Sequence, residues 1–168
     1  MKLKTLLIDM EAEILKNWEK AVLGRYEKDT ARIFMGQKDQ FANPVGHKTT
    51  AGLKELYSVI CDESDQEIET PALGQLIKLM AVQQISPSQA LAFVFTLKEI
   101  VRKAVGNKQI SDQEWKSFDA RVDNAALALF DIYNASREQL HQVHFNDFKK
   151  KRNALTSEVV CPTALMNE

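Results

Sequence analysis

Ser111-Asp112-Gln113-Glu114-Trp115-Lys116-Ser117-Phe118-Asp119-Ala120-Arg121-Val122 opens a run that meets no glycine or proline before Pro162. Its first four residues form a capping box. The serine hydroxyl can accept the N–H three residues on, and the glutamate can reach back to the serine N–H. Behind them Trp115, Phe118, Val122, Ala126, Leu129, Tyr133, Leu140 and Val143 recur at helical spacing. The pattern predicts one helix to about Arg152, roughly 60 Å long at about 1.5 Å per residue. That is several times the radius of a domain this size, so its far end must project, bend or pack on a second copy.

The same grammar repeats upstream. Ser86-Pro87-Ser88-Gln89 combines cap, proline and capping-box glutamine. The helix behind it runs to Val105 and carries Leu91, Phe93, Val94, Phe95, Leu97, Ile100 and Val101 over more than one face. Such a helix is central in its domain or buries a second face against a partner. Gly106 ends it. Thr70-Pro71 is a further cap-plus-proline start, followed by Leu73, Leu76, Ile77 and Met80. Asn43-Pro44 is the clearest, because proline at the first helical position loses an N–H that has no partner there anyway. Its helix runs to about Asp62 with Leu53, Leu56, Tyr57 and Ile60 inward, and the acidic stretch to Glu69 reads as a loop. One amphipathic helix is predicted over 2–23 from Leu3, Leu7, Met10, Ile14, Trp18 and Ala21, stopped by Gly24. Asp29 to Met35 reads as a short helical piece with Ile33, Phe34 and Met35 turned inward. No strand pattern emerges, so the class is all-α, with about six helices in a domain over 1–152 and a flexible tail over 153–168.

Composition narrows the function. The chain has 168 residues, 45% hydrophobic and 27% charged, with 6 glycines and 4 prolines. These are globular values, and the low count of chain breakers favours helices. With 22 basic against 23 acidic residues the net charge is -1, which supplies no general attraction for nucleic acid or acidic lipid. No apolar run approaches the ~20 residues of a spanning helix, and the N-terminus lacks signal-peptide features. Cys61 and Cys161, far apart, point to a reducing, cytoplasmic setting.

The motifs that could carry chemistry are few. Glu138, His141 and His144 stand three apart on one helix face and could hold zinc or iron. A di-iron bundle, however, needs two Glu-x-x-His units and two further glutamates, and the chain has one unit. A solvated face is the reading preferred here. Haem needs a proximal histidine in the middle-to-late part of a globin-sized chain, yet none lies between His47 and His141. Cys161-Pro162 is a weak haem-regulatory dipeptide. No Gly-x-Ser-x-Gly elbow or phosphate-cradling glycine loop occurs. Asp62 and Glu63 should raise the Cys61 pKa, leaving it structural. Phe93, Phe95 and Trp115 could line a small-ligand pocket, with a filled core as the default. Lys149-Lys150-Lys151-Arg152 suits a helix C-terminus and could also meet an acidic partner.

Phe41-Ala42-Asn43-Pro44-Val45-Gly46, between Ile14-Leu15-Lys16-Asn17-Trp18 and Leu53-Lys54-Glu55-Leu56, together with Phe118-Asp119-Ala120-Arg121-Val122-Asp123, resembles the N-terminal domain of the RsbR/RsbRD family. These are RsbT co-antagonists of bacterial stressosomes, and the likeness spans about Ile8 to Lys150. It implies a globin-like helical bundle without haem, dimeric, serving as a sensory or signalling module. Phe41 would anchor the turn, Asn43 cap, Pro44 start the helix and Gly46 allow close approach. The STAS output domain that follows such domains is expected to be absent after Arg152, which points toward another regulatory or redox protein as partner. The function read from the sequence is therefore a non-enzymatic regulatory module, a cytoplasmic homodimer with no cofactor, no nucleic acid and no membrane insertion. The alternative is a metal- or haem-binding redox or sensor protein using Glu138, His141 and His144, or Cys161.

Overall fold

The computed structural model describes residues 2–25, 43–62, 70–83 and 85–158. The piece predicted over 29–35, Phe41, most of the loop after Asp62, and Cys161 with the end of the tail lie outside them. Among the described residues there are six helices and no strand: α1 (Leu3–Asp9), α2 (Glu11–Leu23), α3 (Pro44–Cys61), α4 (Pro71–Val82), α5 (Pro87–Val105) and α6 (Asp112–Glu158). The protein is an all-α, globin-like bundle. Helix α3 packs on α4 and α2 on α5, while α6 runs past α5, α4 and α3.

Two helices replace the single one predicted over 2–23. The chain leaves helical geometry at Met10 (φ -106°, ψ 9°). In a continuous helix the Leu7 carbonyl would accept the Glu11 N–H. Here it accepts the Tyr57 hydroxyl of α3 at 2.8 Å, in the interior. The bend lets Leu3, Leu6 and Leu7 join the same core as Ile14 and Trp18. Periodicity could not show this, because the tyrosine lies 50 residues away.

The predicted caps form, with one exchange. The Asn43 side chain accepts the Gly46 N–H at 2.9 Å. Ser86 and Gln89 make their reciprocal box. Ser111 and Glu114 do likewise, and Glu114 reaches further, accepting the Leu3 N–H at 2.9 Å. Thr70 does not cap α4. Glu55 of α3 does so instead, accepting the Ala72 and Leu73 N–H groups and the Thr70 hydroxyl. The helix is thus capped by its neighbour, which also fixes the α3–α4 crossing. Gly52 sits at that crossing, where a Cβ would stand 2.9 Å from Leu76 Cβ. Gly106 ends α5 at φ 59°, a region that favours glycine.

Helix α5 is the central element. Phe93, Val94, Leu97 and Val101 are fully buried, whereas Phe95 faces outward. Helix α6 buries Phe118, Val122, Leu129 and Tyr133 in the core. It continues to Glu158, past the expected end at Arg152. Every residue from His141 to Leu155 is exposed, Val143 of the predicted core stripe among them. No helix among the described residues is long and apolar enough to cross a membrane.

Candidate functional site

Side chains of α6 reach across to hold the rest of the bundle. Arg102 of α5 pairs with Asp119 at 2.6 Å and stacks over the Trp115 ring, and Lys98 pairs with Asp123 at 2.6 Å. Arg121 Nε donates to the Ile60 carbonyl in the last turn of α3 at 2.7 Å, and Arg137 donates to the Ala81 carbonyl in the last turn of α4 at 3.1 Å. Both place a cation at a helix C-terminus, where orphan carbonyls and the dipole favour it. Tyr133 donates to the Ile85 carbonyl at 2.7 Å. Trp18, fully buried, donates its indole N–H to the Phe93 carbonyl of α5 at 2.8 Å. The Phe118 to Asp123 run is therefore a set of fasteners.

Cys61 is buried in the last turn of α3. Burial pushes its thiol up to about 11, and Glu11 adds to that, while the Tyr57 hydroxyl and the Arg121 guanidinium pull the other way. The expected direction was right, but desolvation leads and Asp62 is not among the causes, while Glu63 lies outside the described residues. A thiol so protonated is a poor nucleophile near neutral pH.

What the core leaves outside falls in two groups along α6. Between α5 and α6 runs a groove of about 530 Å³, lined by Pro87, Leu91, Phe95, Ala126, Leu127 and Phe130. Phe95 is 48%, Leu127 68% and Phe130 46% exposed. Farther along α6, Phe145, Phe148 and Leu155 stand out at 53–65% exposure. Single exposed apolar residues need no explanation, but an adjoining set of large ones marks an interaction surface.

The family model of the RsbT co-antagonist protein rsbRD N-terminal domain matches residues 12–146. The chain belongs to this family. The rsbRD N-terminal domain family is a regulatory one. No curated protein and no solved structure matches the chain. In this rsbRD-type domain the matched stretch takes in the groove and ends inside the projecting part of α6.

The other predicted site residues are scattered. Glu138, His141 and His144 lie on exposed turns of α6, with Glu138 accepting from Gln142 at 2.9 Å. Among the described residues no group of three or more histidine, cysteine or acidic side chains is placed to hold a metal ion. Phe93, Phe95 and Trp115 do not converge on one pocket. Phe93 borders a cavity of about 510 Å³ with Val22, Met80 and Ile85, Phe95 lines the α5–α6 groove, and Trp115 packs edge-on against Phe118. Pro44 opens α3 and Gly46 is buried in its first turn. Lys149, Lys150, Lys151 and Arg152 are all exposed, with Lys149 over the Phe145 ring at 4.4 Å.

Sequence reading missed Leu127, Phe130, Phe145 and Phe148. Their signal was present. Leu127 and Phe130 stand three apart, as do Phe145 and Phe148, on a side of α6 turned away from the one that carries Phe118, Val122 and Leu129.

Proposed function

We propose that this domain is a non-enzymatic regulatory or sensory signalling module that works in the cytoplasm, in stressosome-type stress signalling, through protein–protein contacts and as a homodimer. The observation that carries the reading is the outer face of α5 and α6, where Phe95, Leu127, Phe130, Phe145 and Phe148 stay 46–68% exposed beside a buried core. Membership of a regulatory family supports it. The capping and ion-pair network also supports it, since Trp18, Tyr57, Arg102, Arg121, Tyr133 and Arg137 are occupied in joining helices. A protein that works this way needs a stable scaffold and a surface, with no resident metal or haem.

The test is a comparison of the wild type with Leu127→Glu/Phe130→Glu. Light scattering at high micromolar concentration should give a dimer for the first and a monomer for the second, with unchanged helical circular dichroism. Affinity capture from the native host should bring down a regulatory protein with the wild type and lose it with the variant. A monomeric wild type removes the homodimer. A stoichiometric metal or a Soret band in the purified protein overturns the reading in favour of a metal- or haem-based sensor.

A further inference from the structure

The outward stripe of α6 is symmetric about a point between Arg137 and Glu138. Leu127 and Phe148 lie equally far from it, as do Phe130 and Phe145, and Asn134 and His141. Two charge pairs follow the same reflection with opposite sign: Asp123 against Arg152, and Arg137 against Glu138. A two-fold interface requires that a patch be complementary to itself. Along one helix, only an antiparallel pairing turns this reflection into contact.

We infer that two copies of this chain associate through antiparallel α6 helices, each copy's projecting segment lying in the α5–α6 groove of the other. The inference rests on the homodimer reading above and specifies its geometry. Phe148 and Phe145 of one copy then meet Leu127 and Phe130 of the second, beside Phe95. Arg152 arrives at Asp123, whose carboxylate already holds Lys98, and near Glu99, exposed one turn beyond Phe95. A parallel pairing does the reverse. It sets Lys149-Lys150-Lys151-Arg152 against the same four cations and leaves the groove without the segment that fits it.

Two further observations favour a second copy as occupant. Residues 141–155 make a helix exposed on all sides, and a helix of that length is marginal without tertiary packing. The half-exposed apolar side chains on the two copies offer together on the order of 1,000 Å², taking an aromatic as ~150–250 Å² in full. With the intervening polar contacts that reaches the range of a specific interface.

The experiment measures the distance between nitroxide labels on Leu155→Cys in a Cys61→Ala/Cys161→Ser background by pulsed dipolar spectroscopy. The antiparallel pair places the labelled positions about 50 Å apart, from ~1.5 Å rise per residue. A parallel pair places them near the interaxial spacing of roughly 10 Å. A charge-reversal cycle gives an independent reading. Asp123→Lys and Arg152→Glu each weaken the dimer by about tenfold or more, and the double variant recovers most of the loss. Asp123→Lys also removes the ion pair with Lys98, a surface pair worth about 1 kcal/mol or less, so circular dichroism should still report an intact fold. A distance near 50 Å with recovery in the double variant supports the inference. A short distance in a protein that remains dimeric overturns the antiparallel geometry and leaves the homodimer standing. A monomeric mass overturns both and assigns the groove to a different protein.

Discussion

Replacing Tyr57 by Phe removes one hydroxyl and leaves the ring in place. That hydroxyl donates to the Leu7 carbonyl at 2.8 Å, where Leu7 is fully buried and Tyr57 nearly so. The loss has two parts: a net hydrogen bond of about 1 kcal/mol, and a buried carbonyl left without its donor at about 1–3 kcal/mol. A total of about 2–4 kcal/mol corresponds to a drop in Tm of roughly 4–16 °C for a chain this long. The measurement is urea unfolding of wild type and Tyr57→Phe, with the m-value required to stay constant, and amide exchange across α1. If the hydroxyl holds the break at Met10 in place, exchange in α1 accelerates more than in α5. A variant within about 0.5 kcal/mol of wild type, the ordinary spread of a surface change, would refute the reasoning. The bend would then owe its existence to the packing of Leu3, Leu6 and Leu7 alone.

Gly52→Ala sets two effects against each other. Alanine gains about 1 kcal/mol of helix propensity, but its Cβ meets Leu76 Cβ at 2.9 Å and Cδ2 at 2.8 Å, and overpacking costs about 1–3 kcal/mol. The expected sign in calorimetry is destabilising, and a rise in Tm would show that α4 can shift. Cys61 is protonated more readily in the folded state, so the stability it contributes is complete below the ordinary thiol pKa near 9 and is lost as pH rises through about 11. Against Cys61→Ala, which cancels groups common to both, wild type should lose on the order of 1–3 kcal/mol across that window by proton linkage. Arg121→Met should cost about 1–2 kcal/mol through the lost bond to the Ile60 carbonyl, and should raise the Cys61 titration further in iodoacetamide kinetics. The Leu3 N–H, followed by Ser111, holds the Glu114 carboxyl below the usual carboxylate range. Its contribution is present above the ordinary glutamate pKa and lost as pH falls through the lowered one. Glu114→Gln should flatten that part of an acid unfolding curve, and an unchanged curve would remove the α1–α6 contact from the account.

The helices, their starts and most of their inward faces were legible from the chain. Pro44, Pro71 and Pro87 sit where a missing N–H is harmless, and the two capping boxes satisfy donors within four residues. Such signals are local, so one sequence contains both partners. The family resemblance was legible as a pattern of residue types along the chain, Trp18, Asn43 and the Phe118 to Asp123 run among them.

Contacts between distant segments were decided by the tertiary structure. The break at Met10 depends on Tyr57, the cap of α4 on Glu55, and the ends of α3 and α4 on Arg121 and Arg137. Each partner lies on another helix, and periodicity along one helix carries no information about what faces it. The candidate surface shows the same division. The sequence contained two apolar stripes on α6 and could not say which one the bundle would cover. Packing against α5 buried Phe118, Val122 and Leu129 and left Leu127, Phe130 and Phe148 in water. A helix has room for one core-facing side, and only the placement of its neighbours decides which side that is.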